Sequence, residues 1–273
     1  PKPSSTRRGQ RDMLPSTKPR MSGNRSRWSA SIDEPPPVNA AGPDELPRDA
    51  GPMPLPSPLP GVDVWMCGLA RAPDEVRALA ASLSAAEAAR TARFGRDDLR
   101  ERYVVGRATL RALLGARLGC APAEVVIGRG ERGRPYAVDA GGLDFNVSHT
   151  AGVALIAVAN DVRIGVDIER GDRQLNVDGV ARKFMAPDEQ RRLGALAQDA
   201  RRRALLRLWT CKEAMSKATG DALAAPFRRM SVAIDGGLRL ANGPAPYRPD
   251  AWRLEAVAAP GAFLATVALW HRD

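Results

Sequence analysis

The chain has 273 residues, of which 44% are apolar and 26% are charged, and these fractions are near the averages for soluble globular proteins. The length allows one large domain or two small ones, and the composition excludes a fibrous protein. No apolar run reaches the roughly 20 residues that cross a bilayer, and the N-terminus lacks the compact apolar segment of a secretory signal, so we expect a cytoplasmic protein.

The net charge is +10, and most of it lies outside the N-terminal segment. Residues 1–60 hold 9 Lys/Arg and 6 Asp/Glu, which leaves a net charge of +7 on residues 61–273. Such a surface suits nucleic acid, a phosphate-rich nucleotide or an acidic protein partner, and charge alone does not separate these. Cys67, Cys120 and Cys211 are odd in number and widely spaced, so neither a disulfide framework nor a zinc site is predicted.

Residues 1–60 differ in composition from the rest of the chain. They contain 14 of the 23 prolines, which predicts a Pro-rich, disordered or loosely ordered extension. The Ser and Arg content of its first part leaves a targeting peptide open, although Asp12, Asp33 and Glu34 argue against one. Order is predicted to begin near Gly61.

Hydrophobic periodicity and turn residues predict alternating helices and strands after Gly61. The predicted strands are 62–67, 124–128, 143–148 and several short ones after about residue 230, and the predicted helical stretches are 73–94, 97–118, 176–185, 187–197 and 199–219. Between 152 and 166, two apolar runs flank Asn160-Asp161, which predicts a hairpin.

A short internal echo accompanies this pattern. The stretch from Gly152 to Ala159 shares Gly, Leu, Val and Ala at matching places with the stretch from Gly261 to Ala268. Two interpretations are open: a duplicated unit, or chance recurrence of small and aliphatic residues in buried strands.

Asp167 and Glu169 are two apart in an extended segment, so they present two carboxylates on one face. Mg²⁺ is a natural partner, since it prefers hard oxygen ligands and binds carboxylates together with substrate phosphates. The alternative is the solvated face of a strand.

Glu213 and Lys217 are four apart on a predicted helix and share one face. An exposed ion pair is the plain alternative. Because the face continues to Trp209 and Leu206, we expect it to turn inward and to place a carboxylate and an ammonium at a semi-buried interface.

Ser148 and His149 are adjacent after a short strand. Adjacency in sequence does not make a hydrolytic triad, whose members the fold must bring together. Hydrogen bonding to phosphate is the preferred interpretation, with a structural role as the alternative. Arg107, Arg111 and Arg134 are candidates for further positive charge.

Three stretches together resemble a family signature. Phe145-Asn-Val-Ser-His149, Ile164-Gly-Val-Asp-Ile-Glu169 and Trp209-Thr-Cys-Lys-Glu-Ala-Met-Ser-Lys217, with Gly133-Arg-Pro135 before them, resemble the motifs of phosphopantetheinyl transferases of the long, surfactin-synthetase-activating type. The resemblance covers about residues 61–270 in order and spacing.

The resemblance implies roles for individual residues. Asp167, Glu169 and Glu213 would hold Mg²⁺ at the pyrophosphate of coenzyme A, and Glu213 is also the candidate base. Lys217 would contact the phosphate under attack. The remaining implied coenzyme A contacts are Arg107, Arg134, Ser148, His149, Asp167 and Lys212.

The resemblance also implies a fold, a reaction and partners. The fold would be α+β, with two similar α/β halves at 61–161 and 162–273 related by pseudo-twofold symmetry. The reaction would transfer phosphopantetheine from coenzyme A to a serine of an apo acyl or peptidyl carrier protein and release 3′,5′-adenosine bisphosphate. We expect a monomer that binds an acidic helical carrier domain and neither nucleic acid nor membrane.

Two other functions are weighed against this one. A Mg²⁺-dependent nuclease or phosphatase would also use clustered acids and bases. A basic nucleic-acid-binding protein would explain the charge, but it would leave the acid and lysine set unused, and aromatic residues for base stacking make up only 5% of the chain.

Overall fold

A computed structural model describes residues 49–57, 59–150 and 152–271 of the chain. Residues 1–48 lie outside the described residues, and so do the predictions of disorder and of a targeting peptide for that part. Along the described ranges, no helix combines the length and the apolarity that a membrane span requires.

Helices and strands alternate along the described residues. The helices are α1 Pro73–Ala80, α2 Ala85–Thr91, α3 Asp97–Leu118, α4 Val177–Phe184, α5 Pro187–Gly194 and α6 Gln198–Thr219. The strands are β1 Met53–Leu55, β2 Val62–Gly68, β3 Ile127–Arg129, β4 Pro135–Ala137, β5 Leu143–Thr150, β6 Val153–Asn160, β7 Arg163–Arg170, β8 Ser231–Ala233, β9 Arg239–Asn242, β10 Trp252–Val257 and β11 Phe263–Trp270.

Two similar halves follow one another in the chain. The first carries the sheet β1-β2-β6-β5 with the 22-residue helix α3, and the second carries the sheet β7-β11-β10 with the 22-residue helix α6. Each half runs through a strand, its helices, a small hairpin and two further strands. This order confirms the predicted α+β class and the two similar α/β halves.

The internal echo falls on corresponding strands, β6 and β11, but one residue out of register. Ala159 faces the hydrophobic cluster between the two sheets, to which β2, β6, β7 and β11 contribute. Ala268, its partner in the echo, faces α6 instead. The reason is that β6 begins one residue after Gly152 and β11 begins two residues after Gly261. The echo thus identified the right strands and the wrong residue pairs.

The hairpin predicted around Asn160-Asp161 is wrong. Asp161 does turn the chain, with φ 57°. However, β6 pairs with β2 and β5, while β7 pairs with β11 in the other sheet. The turn therefore leads from one half into the next.

The two sheets meet where β5 and β7 run side by side in the same direction. Instead of a backbone ladder, side chains of β5 accept hydrogen bonds from backbone amides of β7: Asp144 from Ile164 at 2.8 Å, Asn146 from Val166 at 3.0 Å and Ser148 from Ile168 at 3.4 Å. We call this junction the seam. Because the strand period is two, the three acceptors lie on one face of β5.

The ordered chain begins before Gly61, so the predicted boundary is wrong for the described residues 49–57 and 59–60. β1 pairs with the edge of β2, and Leu55 and Leu59 are buried in the cluster between the sheets. The prolines here predicted irregular structure, yet an edge strand tolerates Pro54, because half of its amides need no partner in the sheet.

The predicted helical stretch from 73 to 94 is two helices. α1 ends at Ala80, and Ser84 caps α2. The Ser84 hydroxyl accepts a hydrogen bond from the amide of Glu87, and the Glu87 carboxylate accepts one from the Ser84 amide. The predicted limits of α3 are confirmed, and Gly119 closes it in the left-handed conformation.

Candidate active site

The side chains of β7 point alternately to its two faces, and one set of them faces α6. Ile164, Val166 and Ile168 point into the cluster between the sheets, so Gly165, Asp167 and Glu169 face the helix. The helix approaches so closely that a Cβ on Gly165 would lie 1.9 Å from the carbonyl oxygen of Ala214. Gly165 is therefore the residue that lets α6 reach the two acids.

Lys217 and Ser148 meet at Asp167. The Lys217 ammonium donates to Asp167 Oδ1 at 2.7 Å and to Ser148 Oγ at 2.8 Å, and the Ser148 hydroxyl donates to the same Asp167 oxygen at 2.8 Å. One residue from each of β5, β7 and α6 contributes, so the cluster lies across the seam. The expectation that the Glu213 and Lys217 face turns inward is confirmed, since only 14% of the Lys217 side chain is exposed.

Glu169 is held by two neighbours. Arg173 forms an ion pair with Oε1, and the Thr150 hydroxyl donates to Oε2 at 3.4 Å. Burial raises the pKa of Glu169, and the charge of Asp167 raises it further, while Arg173 and Lys217 oppose the shift. The dominant cause is desolvation of the carboxylate.

Two buried carboxylate oxygens have no hydrogen-bond partner among the described residues: Asp167 Oδ2 and Glu213 Oε1. Burial, followed by the negative charge of Asp167, raises the pKa of Glu213 to about 7, and Lys217 opposes the shift. A buried polar atom without a partner costs about 1–3 kcal/mol, and a charged one costs more. Each of these two oxygens can therefore still bind a cation or a proton.

The three acids influence one another electrostatically but do not form a finished metal centre. Within the described ranges, no group of three His, Cys, Asp or Glu side chains is arranged to hold an ion. The ammonium of Lys217 already pairs with Asp167 Oδ1, and the guanidinium of Arg173 already pairs with Glu169 Oε1. The metal set Asp167, Glu169 and Glu213 stays a prediction.

Ser148 and His149 point to opposite faces of β5. Ser148 joins the cluster at the seam, whereas His149 lies on the side of Phe145, toward α3, where a Cβ on Gly106 would come 3.4 Å from its Nε2. Adjacent residues of a strand alternate in this way, so the two side chains do not act on one atom.

Arg107 also lies on the α3 side. Its Nε is 3.9 Å from Glu87 Oε1, and its guanidinium lies over the ring of Tyr103. Arg111, deeper on the same helix, donates to Glu87 and to the carbonyl oxygens of Pro122 and Val125. Arg111 thus serves the fold, and the phosphate role of Arg107 stays a prediction.

The contacts of Arg134 argue against the predicted phosphate role. The residue is 6% exposed, and every nitrogen of its guanidinium donates to protein oxygens: Nε to Lys217, both terminal nitrogens to Asp144, and one of them also to Ile164. All three nitrogens are thus used inside the protein.

The contacts of Lys212 also lie inside the protein. It is fully buried on another side of α6, where its ammonium donates to Glu189 Oε2 at 2.5 Å and to the carbonyl oxygens of Phe184 and Phe227. All three of its hydrogens are used inside the protein, and its coenzyme A contact stays a prediction. The sequence places Lys212 next to Glu213 on α6, but it does not show that the side chain contacts Glu189 of α5.

Three residues of the site were missed from the sequence. Thr150 was open to prediction, since it follows Ser148 by two residues and shares its face. Asp144 precedes Asn146 in the same way. Arg173 follows the end of β7 in a turn, where no periodicity predicts that it reaches back to Glu169.

Comparison with known proteins covers both halves. A model of the 4′-phosphopantetheinyl transferase superfamily matches residues 163–268, and a model of the N-terminal part of 4′-phosphopantetheinyl transferases matches residues 71–161. The two matches adjoin between β6 and β7, where the chain passes from one half to the other.

Curated relatives agree with these matches. The 4′-phosphopantetheinyl transferase HetI of Nostoc sp. strain PCC 7120 is 37% identical over 166 residues, which is 60% of this chain and 70% of HetI. A protein of Synechocystis sp. strain PCC 6803 is 33% identical over 167 residues, 60% of this chain and 67% of its own length. A 4′-phosphopantetheinyl transferase of Bacillus subtilis is 29% identical over 171 residues, 63% of this chain and 75% of its own length.

Two similar α/β halves, with Ser148 of the first in contact with Asp167 and Lys217 of the second at their seam, agree with the two-part organisation of the transferases that these matches describe. The chain belongs to the 4′-phosphopantetheinyl transferase superfamily and is an enzyme of that kind. This membership selects the transferase over the nuclease and the nucleic-acid-binding protein.

Proposed function

We propose that the chain transfers 4′-phosphopantetheine from coenzyme A to a serine of an apo acyl or peptidyl carrier protein, with Mg²⁺, and releases 3′,5′-adenosine bisphosphate. The observation that carries this proposal is the pair of unpartnered buried oxygens, Asp167 Oδ2 and Glu213 Oε1, beside the ammonium of Lys217. Together they form a site that attracts both a cation and a phosphate.

The donor set fits Mg²⁺. Carboxylate oxygens are the ligands this ion prefers, and it commonly takes one or two carboxylates plus substrate phosphates. Asp167 and Glu213 would hold it, and Glu169 would join if Arg173 moved away from its carboxylate. When bound, the ion neutralises charge on the phosphates during transfer.

Lys217 is proposed to bind an oxygen of the phosphoryl group that is attacked. Asp167 and Ser148 hold its ammonium, so the charge is in place before substrate arrives, which is how preorganised electrostatics lower a barrier. Phosphoryl transfer needs alignment and charge neutralisation more than covalent help from the protein.

Two roles are open to Glu213. Its pKa of about 7 suits a general base for the serine hydroxyl of the carrier, and its free oxygen suits an ion. In either role the ionised carboxylate is the active form.

The partners follow from charge and from chain organisation. The net charge of +7 on residues 61–273 would steer an acidic carrier domain to the enzyme. Both halves of the seam come from one chain, so we propose that a monomer is active.

The test is incubation of the protein with coenzyme A, MgCl₂ and an apo carrier domain, followed by intact mass measurement of the carrier. The expected result is a mass gain of one phosphopantetheine group, with 3′,5′-adenosine bisphosphate in the supernatant and no gain after chelation. A carrier whose serine is replaced by alanine is the control. No mass gain across acyl and peptidyl carriers would contradict the proposal.

A further inference from the structure

We propose that Arg134 is a positioning residue for Lys217: it ties the C-terminal turn of α6 to the first half and so sets where the Lys217 ammonium stands. This inference rests on the proposed role of Lys217 in the transfer. It replaces the phosphate contact that the sequence predicted for Arg134.

Arg134 reaches from the first half to two elements of the second. It lies just before β4, and its Nε donates to the carbonyl oxygen of Lys217 at 2.9 Å. One terminal nitrogen donates to the carbonyl oxygen of Ile164, the second residue of β7, at 2.8 Å. A single side chain thus holds β7 and α6 to the same point of the first half.

Asp144 fixes the guanidinium. Its two carboxylate oxygens accept from the two terminal nitrogens at 2.8 and 2.6 Å, the bidentate arrangement that suits arginine and not lysine. Asp144 also accepts from the Ile164 amide as part of the seam. Arg134 is therefore oriented by the junction that it bridges.

The carbonyl of Lys217 is a fitting target. It is among the last four carbonyl groups of α6, which have no partner within the helix and which attract cations. Gly220 closes α6 at φ 83°, and a Cβ there would lie 3.3 Å from Cβ of Arg134. The loop before β4 packs directly on this helix end.

The same loop makes a second contact nearby. Arg132 forms an ion pair with Asp221, just past the end of α6, and the Tyr247 hydroxyl donates to Asp221 at 2.6 Å. The end of α6 is thus held from both halves, while its side chain at Lys217 points to Asp167 and Ser148.

The experiment replaces Arg134 by lysine and measures transfer to an apo carrier. Arg134→Lys keeps a cation opposite Asp144 but loses the fork that also reaches Lys217 and Ile164. We expect kcat to fall about tenfold or more, because a displacement of about 1 Å costs up to about a hundredfold, with coenzyme A affinity by calorimetry within about threefold of wild type. Arg163→Gln is the matched control, since Arg163 also contacts Asp144, at 3.3 Å, and should retain the wild-type rate.

A double-mutant cycle separates positioning from direct binding. If Arg134 acts through Lys217, the Arg134→Lys loss disappears in a Lys217→Ala background. Additive losses, a wild-type kcat in Arg134→Lys, or weaker coenzyme A binding at unchanged kcat would each overturn the inference.

A second readout does not depend on transfer. The acetylation rate of the Lys217 amine, followed by peptide mass spectrometry, should rise several-fold in Arg134→Lys and stay at the wild-type value in Arg163→Gln. An unchanged rate would overturn the inference. Absence of carrier modification by the wild type would instead contradict the proposed function and leave this readout valid.

Discussion

Burial decides the chemistry of Glu213. Its carboxyl lies between α6 and β7 with one oxygen unpartnered, and desolvation together with the nearby Asp167 charge raises its pKa to about 7. In the unfolded chain the same group ionises near 4.5. Folding therefore favours the protonated form.

This difference predicts a pH dependence of stability. The pKa of Glu213 is raised in the folded state, so its favourable contribution is complete below about pH 4.5 and disappears as the pH rises through 7. Without Mg²⁺, the free energy of unfolding of Glu213→Gln should therefore rise relative to that of the wild type as the pH increases from 5 to 8, by up to about 3 kcal/mol. Urea denaturation at several pH values measures this.

Glu255→Gln, on β10, is the matched control, since it makes the same chemical change away from the site. Added Mg²⁺ should stabilise the wild type at pH 8 and leave Glu213→Gln unchanged. A Glu213→Gln difference that is flat with pH would contradict the raised pKa.

Lys212 and Glu189 form a fully buried ion pair that joins α6 to the start of α5. Glu189 also accepts from the amides of Val232 and Ala186. Removing one member leaves an uncompensated charge in the interior, so Lys212→Met should lower the free energy of unfolding by about 3–5 kcal/mol. Adding Glu189→Gln should recover about 1 kcal/mol or more, because the amide keeps an acceptor and has no charge to bury.

Denaturation midpoints and calorimetry with coenzyme A test this assignment together. The folded fraction of Lys212→Met should bind coenzyme A like the wild type, and the exposed Lys183→Met should change stability by less than about 1 kcal/mol. Normal stability with weakened coenzyme A binding would restore Lys212 to the site.

At the scale of elements, the contact of β7 with α6 assembles the site. Gly165 lies under Ala214 and Ala218, the helical neighbours of Glu213 and Lys217. A methyl group at 165 would meet backbone, which does not yield as a side chain does. Gly165→Ala should push α6 away, with a loss of about 3 kcal/mol in stability and a large loss of transfer.

Gly194→Ala is the matched control for this variant. It ends α5, its Cβ would meet nothing within 4 Å, and alanine favours helix, so stability should rise by up to about 1 kcal/mol. Thermal unfolding and the carrier mass assay compare the two variants. Equal effects at both glycines would contradict the close approach of α6 to β7.

Local signals predicted the elements better than their pairing. Gly119 marks the end of α3 by its own conformational preference, so that boundary was readable from sequence. The β6–β7 hairpin was wrong because Asp161 makes a turn whichever sheet the next strand joins. β1 was missed because Pro54 signals irregular structure unless the strand is known to lie at an edge.

The site was predictable where periodicity or family resemblance indicated it. Asp167 with Glu169, and Glu213 with Lys217, follow from spacings of two and four. The interior contacts of Arg134 and Lys212 were not predictable, since a basic residue beside a motif gives no sign of the buried carboxylate it meets in the fold.

At the scale of the whole molecule, the seam joins the halves through side chains of β5. Asn146 is buried and accepts from the Val166 amide, so Asn146→Leu leaves that amide without a partner and should cost about 1–3 kcal/mol. Wild type should unfold in one transition by near- and far-ultraviolet circular dichroism, and Asn146→Leu should unfold at lower urea. An unchanged midpoint would contradict the seam as a stabilising junction.

We propose that phosphopantetheine transfer depends on Asp167, which Lys217 and Ser148 contact at the seam. The most direct measurement is the intact mass of an apo carrier after incubation with coenzyme A, Mg²⁺ and either wild type or Asp167→Ala, with folding of the variant checked by circular dichroism. We expect complete conversion by the wild type and none by folded Asp167→Ala. Full activity of that variant would contradict the proposed role of Asp167.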